Sequence, residues 1–131
     1  MRKASKGKAD KNVITWANSV SASDLYLSVI TILELEIGTL LLERRDLIQG
    51  AILRKWLNHM VMPAFADRIL PVDVMVVQRC AQLHLIGPKS DRDALIAATA
   101  LVHGMTVVAR KDPDFADTGV GICNPWKMLF T

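Results

Sequence analysis

Ser90-Asp91-Arg92-Asp93-Ala94-Leu95-Ile96-Ala97-Ala98-Thr99-Ala100-Leu101-Val102-His103-Gly104 is the stretch that decides the fold of this chain. Ser90 is a helix N-cap residue followed by two carboxylates, which suit the positive end of a helix dipole. An almost wholly apolar helix follows and stops at Gly104, the residue type that most readily takes the left-handed conformation past a helix end. Met105 to Ala109 then reads as a strand, and an acidic turn with Asp112 and Asp114 comes next. Carboxylates at the mouth of a buried helix, with more just beyond the following strand, are the layout of an acidic metal site in an α/β protein.

Working outward, the same alternation recurs. Val13 to Val20 reads as a short helix anchored by Trp16, Ser21 to Asp24 as a turn, and Leu25 to Leu27 as a short buried strand. Thr31 to Arg44 is expected to be a helix with apolar residues on more than one face, hence largely covered. Asp46 to Met62 is a second helix that Pro63 should end. Arg68 to Val72 reads as a strand, and Asp73 can cap a third helix over Val74 to Leu85. Gly87-Pro88 is a loop, and Val120 to Cys123 a candidate edge strand. Strands alternating with helices predict a parallel sheet covered on both faces.

The bulk properties set bounds. A chain of 131 residues, 51% apolar, makes one domain with a real core. The net charge is +3, but Arg2, Lys3, Lys6 and Lys8 precede the first acid. Residues 1–12 are therefore expected to form a basic, flexible arm, and 13–131 the folded domain. That excess of cation is compatible with nucleic acid without requiring it. Two cysteines, Cys80 and Cys123, do not make a disulfide framework. The basic start has no apolar segment behind it and so is not a signal peptide. No apolar run reaches the roughly 18 residues of a membrane span. The expectation is a cytoplasmic protein.

Two helix entries share one design, Thr31-x-x-Glu34 and Ser90-x-x-Asp93. Each acid can be a capping-box residue bonding back to the N-cap amide. Each also follows a strand, which places it on the carboxyl edge of a parallel sheet, where ligands bind. Asp112 and Asp114 follow Thr106 to Ala109 and fall on the same edge. Acids gathered there repel one another unless a cation lies between them. Oxygen donors suit Mg²⁺ or Mn²⁺ rather than zinc, and such ions stabilise the charge that develops in phosphodiester cleavage. Glu36 reads as a solvated or half-buried helix residue, and Asp91 as a dipole acid or outer contact to the ion. His103 suits a helix C-terminus, and His59 and His84 have no partner at metal-ligand spacing. Arg44, Arg45, Arg110 and Lys111 can hold phosphates or simply be solvated.

The chain resembles PIN-domain proteins, specifically VapC-type toxins of bacterial toxin–antitoxin pairs, on the FitB-like branch. The stretches that carry the resemblance are Leu25 to Gly38, Phe65 to Asp73, Ser90 to Val108, Asp114-Phe115 and Asn124-Pro125-Trp126. It implies a three-layer α/β/α sandwich with a central parallel sheet, and metal-dependent endoribonuclease activity. By the motif E-L-x-x-G the family's glutamate falls on Glu34, and by D-x-L-I-A-A an aspartate falls on Asp93. The late acid falls on Asp114. These three are the expected catalytic and metal-holding residues, with Mg²⁺, or Mn²⁺, as the ion. The resemblance also implies an RNA substrate such as tRNA, a cognate antitoxin and a homodimer, with no membrane role.

Two departures stand out. The family's first strand, ending Asp-Thr-Asn and supplying a central metal ligand, has no counterpart here; Met1 to Ala4 resembles the stretch that follows it. Ala109 and Lys111 replace the usual Thr and Asn or Asp of the late loop. An impaired ribonuclease is therefore expected. A non-catalytic protein that keeps the dimer and antitoxin surfaces is the alternative, and a purely structural α/β module with capping acids is the third reading.

Overall fold

The computed structural model describes residues 11–110 and 112–125. The basic arm up to Asp10, Lys111 and Trp126 lie outside the described residues, and helix α1 (Lys11–Ser19) begins at Lys11. A 3₁₀ turn at Ala22–Asp24 leads into strand β1 (Leu27–Ser28), which runs without a loop into helix α2 (Val29–Arg45). Ser28 ends the strand and caps the helix: its Oγ accepts the Ile30 N–H at 3.0 Å. The helix thus starts two residues earlier than Thr31, because the nearer hydroxyl captures a free first-turn amide.

Helix α3 (Leu47–Trp56) follows at once, capped by Asp46 Oδ1 on the Gln49 N–H at 3.1 Å. Pro63 does not end this helix. The chain widens into a π turn over Leu57–Val61, where the Met62 N–H bonds the Leu57 carbonyl, and continues as the short helix α4 (Met62–Ala64). A proline lacks an N–H and its ring presses on the carbonyl four residues back, and a widened turn accommodates both.

Strand β2 (Ile69–Leu70) pairs in parallel with β1, with Leu27 opposite Ile69. Arg68 locks the entry to that pair. Its Nε donates to the Leu25 carbonyl at 2.9 Å, its Nη2 to the Ala64 carbonyl at 3.0 Å, and its guanidinium lies over the Phe65 ring. Asp73 caps helix α5 (Val74–Ile86) as its sequence position suggested, accepting the Val76 N–H at 3.0 Å. Lys89 Nζ closes the other end by donating to the Leu83 and Gly87 carbonyls.

Helix α6 (Asp91–Val102) is the buried centre of the molecule. Ala94, Ala97, Ala98 and Ala100 pack there with Val76, Cys80 and Leu83 of α5, and with Val107, Phe115 and Val120. The alanines allow close approach, so α6 meets α2, α5, the next strand and the acidic turn together. The helix stops as expected. Gly104 takes a φ of 67°, the Met105 N–H reaches back to the Ala100 carbonyl at 2.8 Å, and the Gly104 N–H to Leu101 at 3.3 Å.

Strand β3 (Val107–Val108) pairs in parallel with β4 (Ile122–Cys123), with a 3₁₀ turn at Asp112–Phe115 between them. The architecture is the expected α/β one. Among the described residues, however, the parallel strands form two separate pairs, β1–β2 and β3–β4, rather than one continuous sheet. No described helix is long and apolar enough to cross a membrane.

Candidate active site

The structure sorts the acids by whether another group already uses them. Glu36 and Glu43 both hold Arg54, with Nη2 at 2.6 Å from Glu36 Oε2 and 3.1 Å from Glu43 Oε1. This arginine bridge keeps the Glu36 carboxyl below its ordinary range, chiefly through the hydrogen bond, and raises the Arg54 pKa. Asp46 and Asp73 are helix caps, Asp67 lies 3.5 Å from Arg68, and Asp91 lies 3.3 Å from His84 Nε2. Glu34, Asp93 and Asp114 make no hydrogen bond or ion pair through their carboxylates to a described residue, and neither does Asp24.

The capping explanation of these acids is accordingly weakened. Because α2 starts at Val29, Glu34 sits beyond its first turn and is no capping residue. At α6, Ser90 Oγ accepts the Asp93 N–H at 3.1 Å, which is half of a capping box. The returning bond from the Asp93 carboxylate to the Ser90 amide is not made, so a half-buried carboxylate is left uncommitted. Asp114 is exposed, and its neighbour Phe115 is buried in the core beside α6. Glu34 is exposed on α2. Asp117 escaped the sequence reading: its carboxylate is also uncommitted and lies beside Gly87, on the α5–α6 connection. Its spacing of three from Asp114 was the available signal.

The uncommitted acids come from different parts of the fold. Asp93 and Asp114 precede and follow β3, whereas Glu34 belongs to the helix that follows β1. α6 packs against both α2 and the acidic turn. Even so, no group of three His, Cys, Asp or Glu side chains among the described residues is close enough to hold a metal ion together. The chemistry of the donor set suits a hard divalent cation; its gathering is incomplete. Neither thiol competes for a catalytic role. Burial pushes the Cys80 pKa up, with Asp91 adding to it, and burial pushes Cys123 up as well, the opposite of an activated thiolate.

Exposed apolar surface is concentrated on α2, α3 and α5. Leu33, Leu40 and Leu41 of α2 and Leu47, Ile48 and Ile52 of α3 are exposed, as is Met60. A groove on this side is lined by Ile52, Lys55, Trp56, His59 and Met60.

The chain belongs to the PIN-domain family, whose model matches residues 7–121, and its relatives place it with the VapC and FitB toxins. It is 34% identical over 122 residues to the toxin FitB of Neisseria gonorrhoeae, covering 89% of this chain and 86% of that protein. It is 34% identical over 130 residues to VapC ribonuclease Y4jK of Sinorhizobium fredii, covering 93% and 89%. The fold agrees with the crystal structure of FitAcB from Neisseria gonorrhoeae at a TM-score of 0.86 and 33% identity, over 92% of this chain and 89% of that one.

Proposed function

We propose that the chain is a Mg²⁺-dependent endoribonuclease of the VapC toxin type, acting on a structured RNA such as tRNA and turning over slowly. The observation that carries this reading is the sorting of the acids. The three positions that match the family's motifs are left uncommitted, while Glu36, two residues from Glu34, is taken up by Arg54. Asp93, Asp114 and Glu34 would hold the ion. When bound, it supplies Lewis-acid stabilisation of the phosphodiester's developing charge.

The chain's own residues do the rest. Ser90 fixes the first turn of α6 and thereby the backbone of Asp93. Arg44 and Arg45, both exposed at the end of α2, offer phosphate contacts that add affinity without base recognition. Slow turnover is supported by carboxylates that, among the described residues, are not gathered around one point. A cytoplasmic location, a homodimer through the exposed faces of α2 and α3, and a cognate antitoxin complete the reading. The exposed leucines and isoleucines support an interface there, and a relative named as a toxin supports a counteracting partner.

A non-catalytic binding protein is the second reading, favoured by the incomplete gathering of the acids. The two are separated by incubating the purified chain with total tRNA and Mg²⁺, with Asp93→Asn as blank. Slow cleavage that disappears in the variant supports the enzyme. Cleavage equal in both overturns the assignment of Asp93, and none at any Mg²⁺ or Mn²⁺ concentration leaves the binding protein.

A further inference from the structure

We propose that the outer face of α3 and of the π turn after it is a docking groove for one helix of a partner protein, a helix with carboxylates along one edge of its apolar stripe. The proposal is independent of the ribonuclease reading and is tested by binding alone. The groove is lined by Ile52, Lys55, Trp56, His59 and Met60. Ile52, Trp56 and Met60 stand four residues apart and make an apolar stripe along one helix face, with Ile52 58% and Met60 64% exposed. The widened turn decides what faces the groove: Leu57 and Val61 are buried beneath it, and His59 and Met60 are left outside.

The lining selects the occupant. A stripe with a spacing of four is the ridge pattern that packs against another helix, and contiguous exposed apolar surface marks a protein interface. Lys55 and His59, also four residues apart, are exposed and make no hydrogen bond or ion pair to a described residue. The lining contains no acid. Glu36 and Glu43 of the neighbouring α2 are taken by Arg54 and leave this basic edge unmatched. Carboxylates on the incoming helix match it. An antiparallel two-fold pair of copies would instead set the basic edge against itself, since each residue then meets its own symmetry partner's side. A nucleic acid would meet the cations but gain nothing from Ile52 and Met60. Base stacking needs an open aromatic face, and Trp56 is half-buried.

The test uses the full chain and three helical peptides of about 18 residues, five turns. All carry leucine at every third or fourth position, flanked by Glu in one, Gln in the second and Lys in the third. Calorimetry gives the affinities, and the Trp56 indole N–H resonance reports the place of binding. The parent should bind the Glu peptide most tightly and the Lys peptide least. Lys55→Glu should weaken the Glu peptide by about fivefold, the scale of one exposed ion pair turned from attraction to repulsion, and should strengthen the Lys peptide. If Lys55→Glu lowers the thermal melt, Lys55→Gln makes the same comparison with half the charge change. Ile52→Ser and Met60→Ser, both at exposed positions, should weaken all three peptides at an unchanged melt. Equal affinity for the Glu and Lys peptides, binding that leaves the Trp56 resonance unmoved, or no binding of any peptide overturns the proposal. So does tRNA that shifts the Trp56 resonance in a Lys55-dependent way, which makes the groove a nucleic-acid site. Self-association in sedimentation that disappears in Ile52→Ser overturns it too, by making the groove a contact between copies.

Discussion

Gly50→Ala should destabilise the protein although it replaces a helical glycine by the best helix former. A Cβ built on Gly50 would lie 2.5 Å from Glu43 Cα, 2.8 Å from Glu43 N and 2.9 Å from Glu43 Cγ. Ordinary contact begins at 3.4 Å, so the closest pair is short by about 0.9 Å, and the atom in the way is helix backbone. Helices α2 and α3 would have to separate by something near an ångström. That would stretch the bonds of Arg54 Nε and Nη2 to Glu43, at 3.2 and 3.1 Å. Overpacking of this kind costs about 1–3 kcal/mol, against a helix-propensity gain of about 0.5–1 kcal/mol. Gly38→Ala is the control. Gly38 lies inside α2 with nothing within 4 Å of its Cβ position, so it should show the gain alone. The propensity gain cancels between the two variants, and the difference is the steric cost by itself. At roughly 3–5 °C per kcal/mol for a domain of this size, a mid-range cost of about 2 kcal/mol separates the two melting temperatures by about 6–10 °C. Calorimetric scans of the parent and both variants measure it. If both substitutions raised the melting temperature equally, the close crossing at Gly50 would be wrong.

Asp93→Asn should abolish metal-dependent cleavage while Glu36→Gln leaves it intact, since only the former carboxylate is uncommitted; Mn²⁺ titration by calorimetry should show weak binding that vanishes in Asp93→Asn. Ser90→Ala should lower stability by about 1 kcal/mol by freeing an α6 amide, read as a shifted urea midpoint at constant slope. The folded-state pKa of Glu36 lies below its unfolded value, so its contribution is present above the ordinary Glu pKa of about 4.3 and is lost as pH falls through the folded value. The melting-temperature gap between parent and Glu36→Gln should therefore be constant near neutral pH and close on acidification. Leu47→Glu with Ile48→Lys should reduce self-association of a micromolar sample in sedimentation if the exposed α3 face is a dimer surface; a parent that is monomeric at that concentration removes that expectation.

Local sequence was enough for much of this protein because the decisive signals are short in range. The Ser90 cap, the alanine-rich core face of α6 and the Gly104 stop lie within fifteen residues, and each acts on its own helix. Asp73 capping α5 is legible for the same reason. Local rules failed where two solutions compete within a turn. Ser28 and Thr31 both offer a hydroxyl to α2, and the end of β1 decided for Ser28. Pro63 stops a regular α-helix, yet a π turn carried the chain past it, with Leu57 and Val61 buried along that turn. For the site, motif spacing could name Glu34, Asp93 and Asp114 but could not separate Glu34 from Glu36 on physical grounds, since the two lie two residues apart on one helix. Arg54 made that distinction, reaching across from the next helix to take Glu36. The hydrogen bonds of Thr118 and Asn124 were equally invisible, because a buried hydroxyl and a polar loop residue have the same sequence signature. Their meaning lies in hydrogen bonds to Phe115 and Arg110 that exist only once β3 and β4 are paired. Sequence by itself determined which residues could be helix ends, core and acids. Tertiary structure decided which acids were already occupied, because ion pairs and buried hydrogen bonds depend on distances between segments, which local propensity does not contain.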